Sequence, residues 1–177
     1  MSKESLIASL RTVPDYPKPG IKFWDVTTLF KNAAAFKEVE DILYEEYKDK
    51  GITKVAGIES RGFVMGAALA SRLGAGFVLI RKPGKLPSET IALEYELEYG
   101  RDKIEIHTDA IEPDDVVLVH DDLLATGGTA NAAVKLVRFF HPKHVYASFI
   151  IYLQDFGSIE RFPKEVPVTT VLNLRGF

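Results

Sequence analysis

Between Val116 and Ala130 the chain reads VVLVHDDLLATGGTA: an apolar run, two adjacent carboxylates, a loop of small residues and the start of a helix. Thr126, Gly127, Gly128 and Thr129 offer backbone N–H groups and two hydroxyls at that helix start, where the helix dipole adds to the attraction for an anion. Asp121 and Asp122 would repel a phosphate, so they suit hydroxyl donors such as a ribose 2′,3′-diol and a carbon gaining positive charge. An anion loop beside an acidic pair describes a site for a ribose 5-phosphate. No GxxxxGK or GxGxxG string occurs and the loop holds no Lys, which counts against a nucleoside triphosphatase or a dinucleotide site.

Two further groups carry positive charge. Ser60, Arg61 and Gly62 follow an apolar run and open a helical pattern, so they can present N–H groups and a guanidinium to a second anion. Arg81, Lys82 and Lys85 form a cationic cluster at the end of another apolar run.

The stretch from Val116 to Ala130 resembles the ribose-phosphate signature of the type I phosphoribosyltransferases. GIESRGF at 57–63, RKPGKLP at 81–87 and LEYG at 97–100 narrow the resemblance to members that take adenine. It runs from the YPKPGIKF loop at 16–23 through Leu153 and leaves residues 154–177 contributing little. The resemblance implies a transfer from 5-phosphoribosyl 1-pyrophosphate to adenine that yields AMP and diphosphate, a step of purine salvage. It also implies Mg²⁺ carried on the substrate with no metal site in the protein, and a homodimer.

By the same resemblance, Ala125, Thr126, Gly127, Gly128 and Thr129 hold the 5-phosphate, and Asp121 and Asp122 the ribose. Ser60, Arg61, Arg81, Lys82 and Lys85 meet the diphosphate, with Arg81 acting partly across the dimer. Glu98 is the counterpart of a catalytic carboxylate near the purine imidazole, placed with Asp121, Asp122 and Arg61 among the catalytic groups. Phe23 and Leu153 sandwich the base while backbone groups near Lys22 read its edge. Ala125 favours adenine, because many 6-oxopurine members carry Asp there and a methyl accepts no hydrogen bond.

Two residues depart from the family pattern. Trp24 stands where many members have Arg, which keeps a transferase for a different base in view. His120 stands where Val is common and is expected to be a satisfied, half-buried histidine. A third reading is a regulator that senses the same phosphoribosyl substrate while binding nucleic acid. The negative charge and the retained LEYG string oppose it.

These groups need elements to hold them. Ser2–Val13 reads as a short helix with Ser2 as N-cap, and Asp15–Asp25 as an aromatic loop broken by Pro and Gly. Phe36, Val39, Leu43 and Tyr47 recur at helical steps over 33–50. Apolar runs at 54–58, 77–80 and 116–119 then alternate with helical patterns at 62–73 and after Gly128, and further strands are expected at 145–153 and 168–172. Residues 90–97 and 103–107 alternate as a β-hairpin that could serve as a lid. The expected fold is α/β: a central, mainly parallel sheet flanked by helices, with the hairpin lid and a small N-terminal hood, in one domain spanning 1–177.

Composition sets outer limits. Of 177 residues, 46% are hydrophobic and 27% charged, the usage of a globular chain with a sizeable core. The absence of Cys excludes disulfides, thiolate metal sites and a cysteine nucleophile. A net charge of −3 argues against a nucleic-acid partner. No apolar segment is long enough to span a bilayer and no targeting segment is legible, so a cytoplasmic protein with no membrane partner is expected.

Overall fold

The computed structural model describes residues 1–177 except Glu98. The chain opens with α1 (Lys3–Ala8), β1 (Arg11–Pro14), β2 (Lys22–Asp25), α2 (Thr27–Phe30) and α3 (Ala33–Tyr47). It continues through β3 (Lys54–Ile58), α4 (Gly62–Leu73), β4 (Gly76–Ile80) and a hairpin of β5 (Thr90–Glu96) and β6 (Arg101–His107). It then runs through β7 (Val116–Leu124), α5 (Gly128–Arg138), β8 (His144–Leu153) and β9 (Val168–Leu174).

Five strands form one parallel sheet in the order β4-β3-β7-β8-β9. Parallel strands need crossovers, and covering helices make both sheet faces apolar. The pleat of β7 shows this residue by residue. Val117 and Val119 point into a core shared with Ala133, Val134 and Val137 of α5. Val116 and Leu118 point into the opposite core, with Val39 and Leu43 of α3 and Met65 and Leu69 of α4.

The chain runs outward from β3 to β4, then returns to the other side of β3 to lay down β7. The loops after β3 and β7 therefore diverge, and at such a switch point the carboxyl ends of the strands leave a crevice. The hairpin is fixed to this end of the sheet where Arg81 and Glu105 exchange backbone hydrogen bonds of 3.0 and 2.7 Å.

Three local expectations need correction. The opening helix, capped as expected by Ser2, stops at Ala8, and Arg11–Pro14 is a strand rather than helix. Lys22–Asp25, expected within a loop, is the strand that pairs with it antiparallel, Val13 opposite Phe23 and Arg11 opposite Asp25. The Arg11 guanidinium also bonds the Asp25 carboxylate, a long-range pairing that outweighs local helix preference. Asp121 and Asp122 lie inside β7 rather than beyond it, because pairing with β8 continues through Asp121 opposite Phe149 and Leu123 opposite Ile151. Glu98 lies outside the described residues.

Candidate active site

The loop after β7 turns sharply into α5. Gly127 has φ +86°, a conformation that costs glycine little, and a Cβ there would come within 3.0 Å of the Ser158 side chain. With Ile58, Glu59, Lys82 and Asp121, the turn encloses a cavity of about 250 Å³ lined by every residue from Leu123 to Ala130. The predicted 5-phosphate residues Ala125, Thr126, Gly127, Gly128 and Thr129 are thus brought together at a helix N-terminus. Arg161 braces the turn from outside, donating to the Thr126 carbonyl at 3.0 Å and to the Phe156 carbonyl at 3.2 Å. Sequence reasoning did not single out Arg161.

The two carboxylates of β7 diverge. Asp121 lines the cavity. Its burial and the neighbouring Asp122 carboxylate push its pKa well above the usual carboxylate range. Asp122 is buried on the pleat face shared with His120, and its Oδ2 accepts from Arg61 Nε at 2.6 Å. The expectation of two equivalent carboxylates facing a diol becomes one group at the cavity and one under a guanidinium. The helix bearing Arg61 can come this close because residue 62 is glycine: a Cβ there would lie 2.9 Å from the His120 carbonyl and 3.0 Å from Asp121 Oδ1.

The predicted diphosphate cations converge on the same end of the sheet, and each is held by a carboxylate. Glu59, its side chain 9% exposed, accepts from Arg81 Nε at 2.8 Å and from Lys85 Nζ at 2.9 Å. Although burial raises it, bonds from Lys85, Arg81 and the Lys82 backbone hold Glu59 below its ordinary pKa. Lys82 pairs with Asp102 of β6. Ser60 is exposed at the head of α4 beside Arg61. Glu59 and Asp102 carried no sequence signal, since acids beside an anion site are not what its chemistry suggests.

The hairpin reaches back over this site. The Tyr95 hydroxyl lies 3.0 Å from Thr129 Oγ1 and 3.3 Å from Asp102 Oδ2. At the tip, the Lys18 ammonium sits 4.4 Å above the Tyr99 ring, joining the hairpin to the loop between β1 and β2.

A second cavity of about 160 Å³ adjoins the first, because Leu123 and Ala125 line both. Its walls bring together the predicted base residues Lys22, Phe23 and Leu153, with Trp24 beside them. The Lys22 N–H itself is donated to the Gly176 carbonyl at 3.0 Å. Phe156, Gly176 and Phe177 also line the cavity, so residues 154–177 contribute directly to the site.

His120 is fully buried rather than half-buried, and only half satisfied. Its Nδ1 lies 2.9 Å from Ser148 Oγ while Nε2 has no partner among the described residues. Burial pulls its pKa down to about 4, partly offset by Asp122.

Residues 25–173 match the phosphoribosyl transferase domain family. The chain is 60% identical over 176 residues to an adenine phosphoribosyltransferase of Bacteroides fragilis, covering 98% of this chain and 99% of that one. The crystal structure of an adenine phosphoribosyltransferase from Rhodothermus marinus superposes with TM-score 0.92 at 49% identity, covering 97% of this chain and 98% of that one. The Giardia lamblia enzyme complexed with 9-deazaadenine gives TM-score 0.90 at 36% identity, covering 98% of each chain. Among the described residues no helix is long and apolar enough to cross a membrane. The chain belongs to the phosphoribosyltransferase family and within it to the adenine phosphoribosyltransferases, enzymes that transfer the 5-phosphoribosyl group of 5-phosphoribosyl 1-pyrophosphate to adenine, giving AMP and diphosphate.

Proposed function

We propose that the two adjoining cavities are the two halves of one transfer site, with the ribose spanning Ala125. The observation that carries this reading is that Leu123 and Ala125 line both an anion loop and an apolar slot. A 5-phosphate in the first and a planar base in the second leave the anomeric carbon between them, beside Asp121. Geometry of this kind replaces a bimolecular encounter with a positioned one.

In this reading the N–H groups and hydroxyls of Thr126–Thr129 hold the 5-phosphate. Asp121 takes a ribose hydroxyl, its pKa raised by burial and by the neighbouring Asp122 carboxylate. Positive charge developing on the sugar would lower its pKa again, so the carboxylate is most stabilising at the transition state. Arg61, Arg81, Lys82 and Lys85 exchange part of their pairing with Asp122, Glu59 and Asp102 for the diphosphate. Mg²⁺ carried by that substrate would neutralise part of the diphosphate charge, and Asp121 and Glu59 are the carboxylates that line the cavity. Glu98 completes the site by family resemblance. Closure of the hairpin keeps water from the activated ribose.

The proposal extends to one domain over 1–177, supported by two cores packed on a single sheet. It extends to a cytoplasmic homodimer, supported by the absence of Cys and by Val64 and Leu79, exposed apolar residues of α4 and the outer strand β4. Steady-state assay of Asp121→Ala tests the ribose assignment and leaves the Arg61–Asp122 pair intact. Loss of kcat by about 100-fold in a protein that still melts cooperatively is expected, and near-normal turnover overturns the assignment.

A further inference from the structure

The apolar cavity has a wall that no sequence motif marks. Three hydrogen bonds hold residues 175–177 against it. Trp24 Nε1–H donates to the Arg175 carbonyl at 2.8 Å, the Lys22 N–H to the Gly176 carbonyl at 3.0 Å, and the Gly176 N–H to the Asp155 carboxylate. Gly176 passes so close that a Cβ would lie 3.3 Å from Cδ1 of Leu153, another residue that lines the cavity. Phe177 continues the wall with its ring centroid 5.9 Å from that of Phe156.

Indole has one N–H and no other polar atom. Trp24 has committed that donor to Arg175, and the Lys22 ammonium lies 4.4 Å over its ring. It therefore has nothing left with which to read the edge of a base. We propose that Trp24 is a positioning residue that fastens residues 175–177 as the second wall of the base pocket, and that Phe177 on this wall sets the affinity for adenine. The segment is a wall rather than a plug, since the cavity of about 160 Å³ is open with it in place. The inference rests on the proposed placement of the base in this cavity.

Trp24 is the one tryptophan of the chain, so adenine binding can be followed by its emission as well as by turnover. The test compares wild type, Trp24→Phe and Phe177→Ala. KM for adenine and KM for 5-phosphoribosyl 1-pyrophosphate are measured by diphosphate release, and adenine is titrated against the fluorescence of wild type and Phe177→Ala. Both variants are expected to raise KM for adenine by roughly 2- to 12-fold, the worth of one hydrogen bond or one aromatic contact. KM for the phosphoribosyl substrate should stay within about twofold of wild type, which a general loosening of the fold would not spare. The fluorescence midpoint of Phe177→Ala should shift by the same factor as its KM. Phe177 is 69% exposed, so this variant tests the wall even if Trp24→Phe is poorly folded. Unchanged or lowered KM for adenine in Phe177→Ala, with wild type forming AMP normally, overturns the inference. A wild type that forms no AMP from adenine overturns instead the placement of the base.

Discussion

The Tyr95 hydroxyl, on the hairpin, stands 3.0 Å from the Thr129 hydroxyl, on the first turn of α5. Two elements far apart in sequence thereby meet at the anion loop, and the same phenol reaches Asp102 at 3.3 Å and Lys82 at 3.5 Å. Lid position, loop geometry and one cation of the diphosphate region are tied through a single oxygen. Tyr95→Phe removes that oxygen and keeps the ring. Stability should fall by about 1 kcal/mol, the usual net worth of such bonds. KM for 5-phosphoribosyl 1-pyrophosphate should rise by roughly 3- to 10-fold, with KM for adenine little changed. Unaltered KM for both substrates would show that the hairpin is not coupled to the loop.

Glu59 holds Arg81 and Lys85 from a nearly buried position. Its role is orientation, because two long cationic side chains left free lose rotamer entropy when an anion orders them. Glu59→Ala is expected to raise KM for the phosphoribosyl substrate by about tenfold, corresponding to roughly 1.4 kcal/mol. If the carboxylate instead only competed with the anion, the same variant would bind that substrate more tightly, which steady-state kinetics at fixed salt distinguishes.

Arg61 covers the buried Asp122 while half of its own side chain remains exposed. Arg61→Ala leaves that carboxylate without its partner. Solvent reaching the pair keeps the stability loss to about 1–2 kcal/mol, below that of a fully buried bridge. Catalysis should suffer more, with kcat/KM falling by roughly 100-fold or beyond as a cation is lost where charge develops on the leaving group. Paired denaturation and kinetic measurements check this ordering, and turnover within about threefold of wild type contradicts the assignment.

Burial holds the His120 pKa down to about 4 against 6.5 for a free side chain. Between those values the unfolded chain binds the proton more readily than the folded one. The contribution is therefore complete above pH 6.5 and is lost as pH falls toward 4. From pH 7.5 to pH 5 wild type should lose roughly 2 kcal/mol more stability than His120→Val. The variant retains Asp121 and Asp122, so their own titrations are present on both sides of the comparison. Equal losses in urea unfolding at the two pH values would contradict the depressed pKa.

What was legible in the sequence is what is local or periodic. Lys54–Ile58 and the helix from Gly62 to Leu73 were found with their observed bounds, because an apolar run beside a period of 3.6 leaves few alternatives. The anion loop was legible for the same reason: its N–H groups and hydroxyls come from consecutive residues. Arg11–Pro14 was not, since a four-residue strand is held by partners 8 to 14 residues on and by the Arg11–Asp25 pair. Glu59, Asp102 and Arg161 act on groups from 20 to 35 positions away, and residues 175–177 reach the base cavity only after β9 has closed the sheet. Periodicity cannot carry such distances. The alternation of β7 puts His120 on the pleat face of Val116 and Leu118, but the depth of α4 over it, permitted by Gly62 and Gly66, follows from packing alone.

The most direct measurement is diphosphate release from 5-phosphoribosyl 1-pyrophosphate and Mg²⁺, with adenine, hypoxanthine or guanine as the sole acceptor and the nucleotide product identified. A methyl at Ala125, between the two cavities, offers a 6-oxopurine no hydrogen bond, so adenine should be preferred in kcat/KM by roughly 100-fold or more, with AMP as the product. Comparable turnover of hypoxanthine or guanine, or no release with any base, would contradict a single site shared across Ala125.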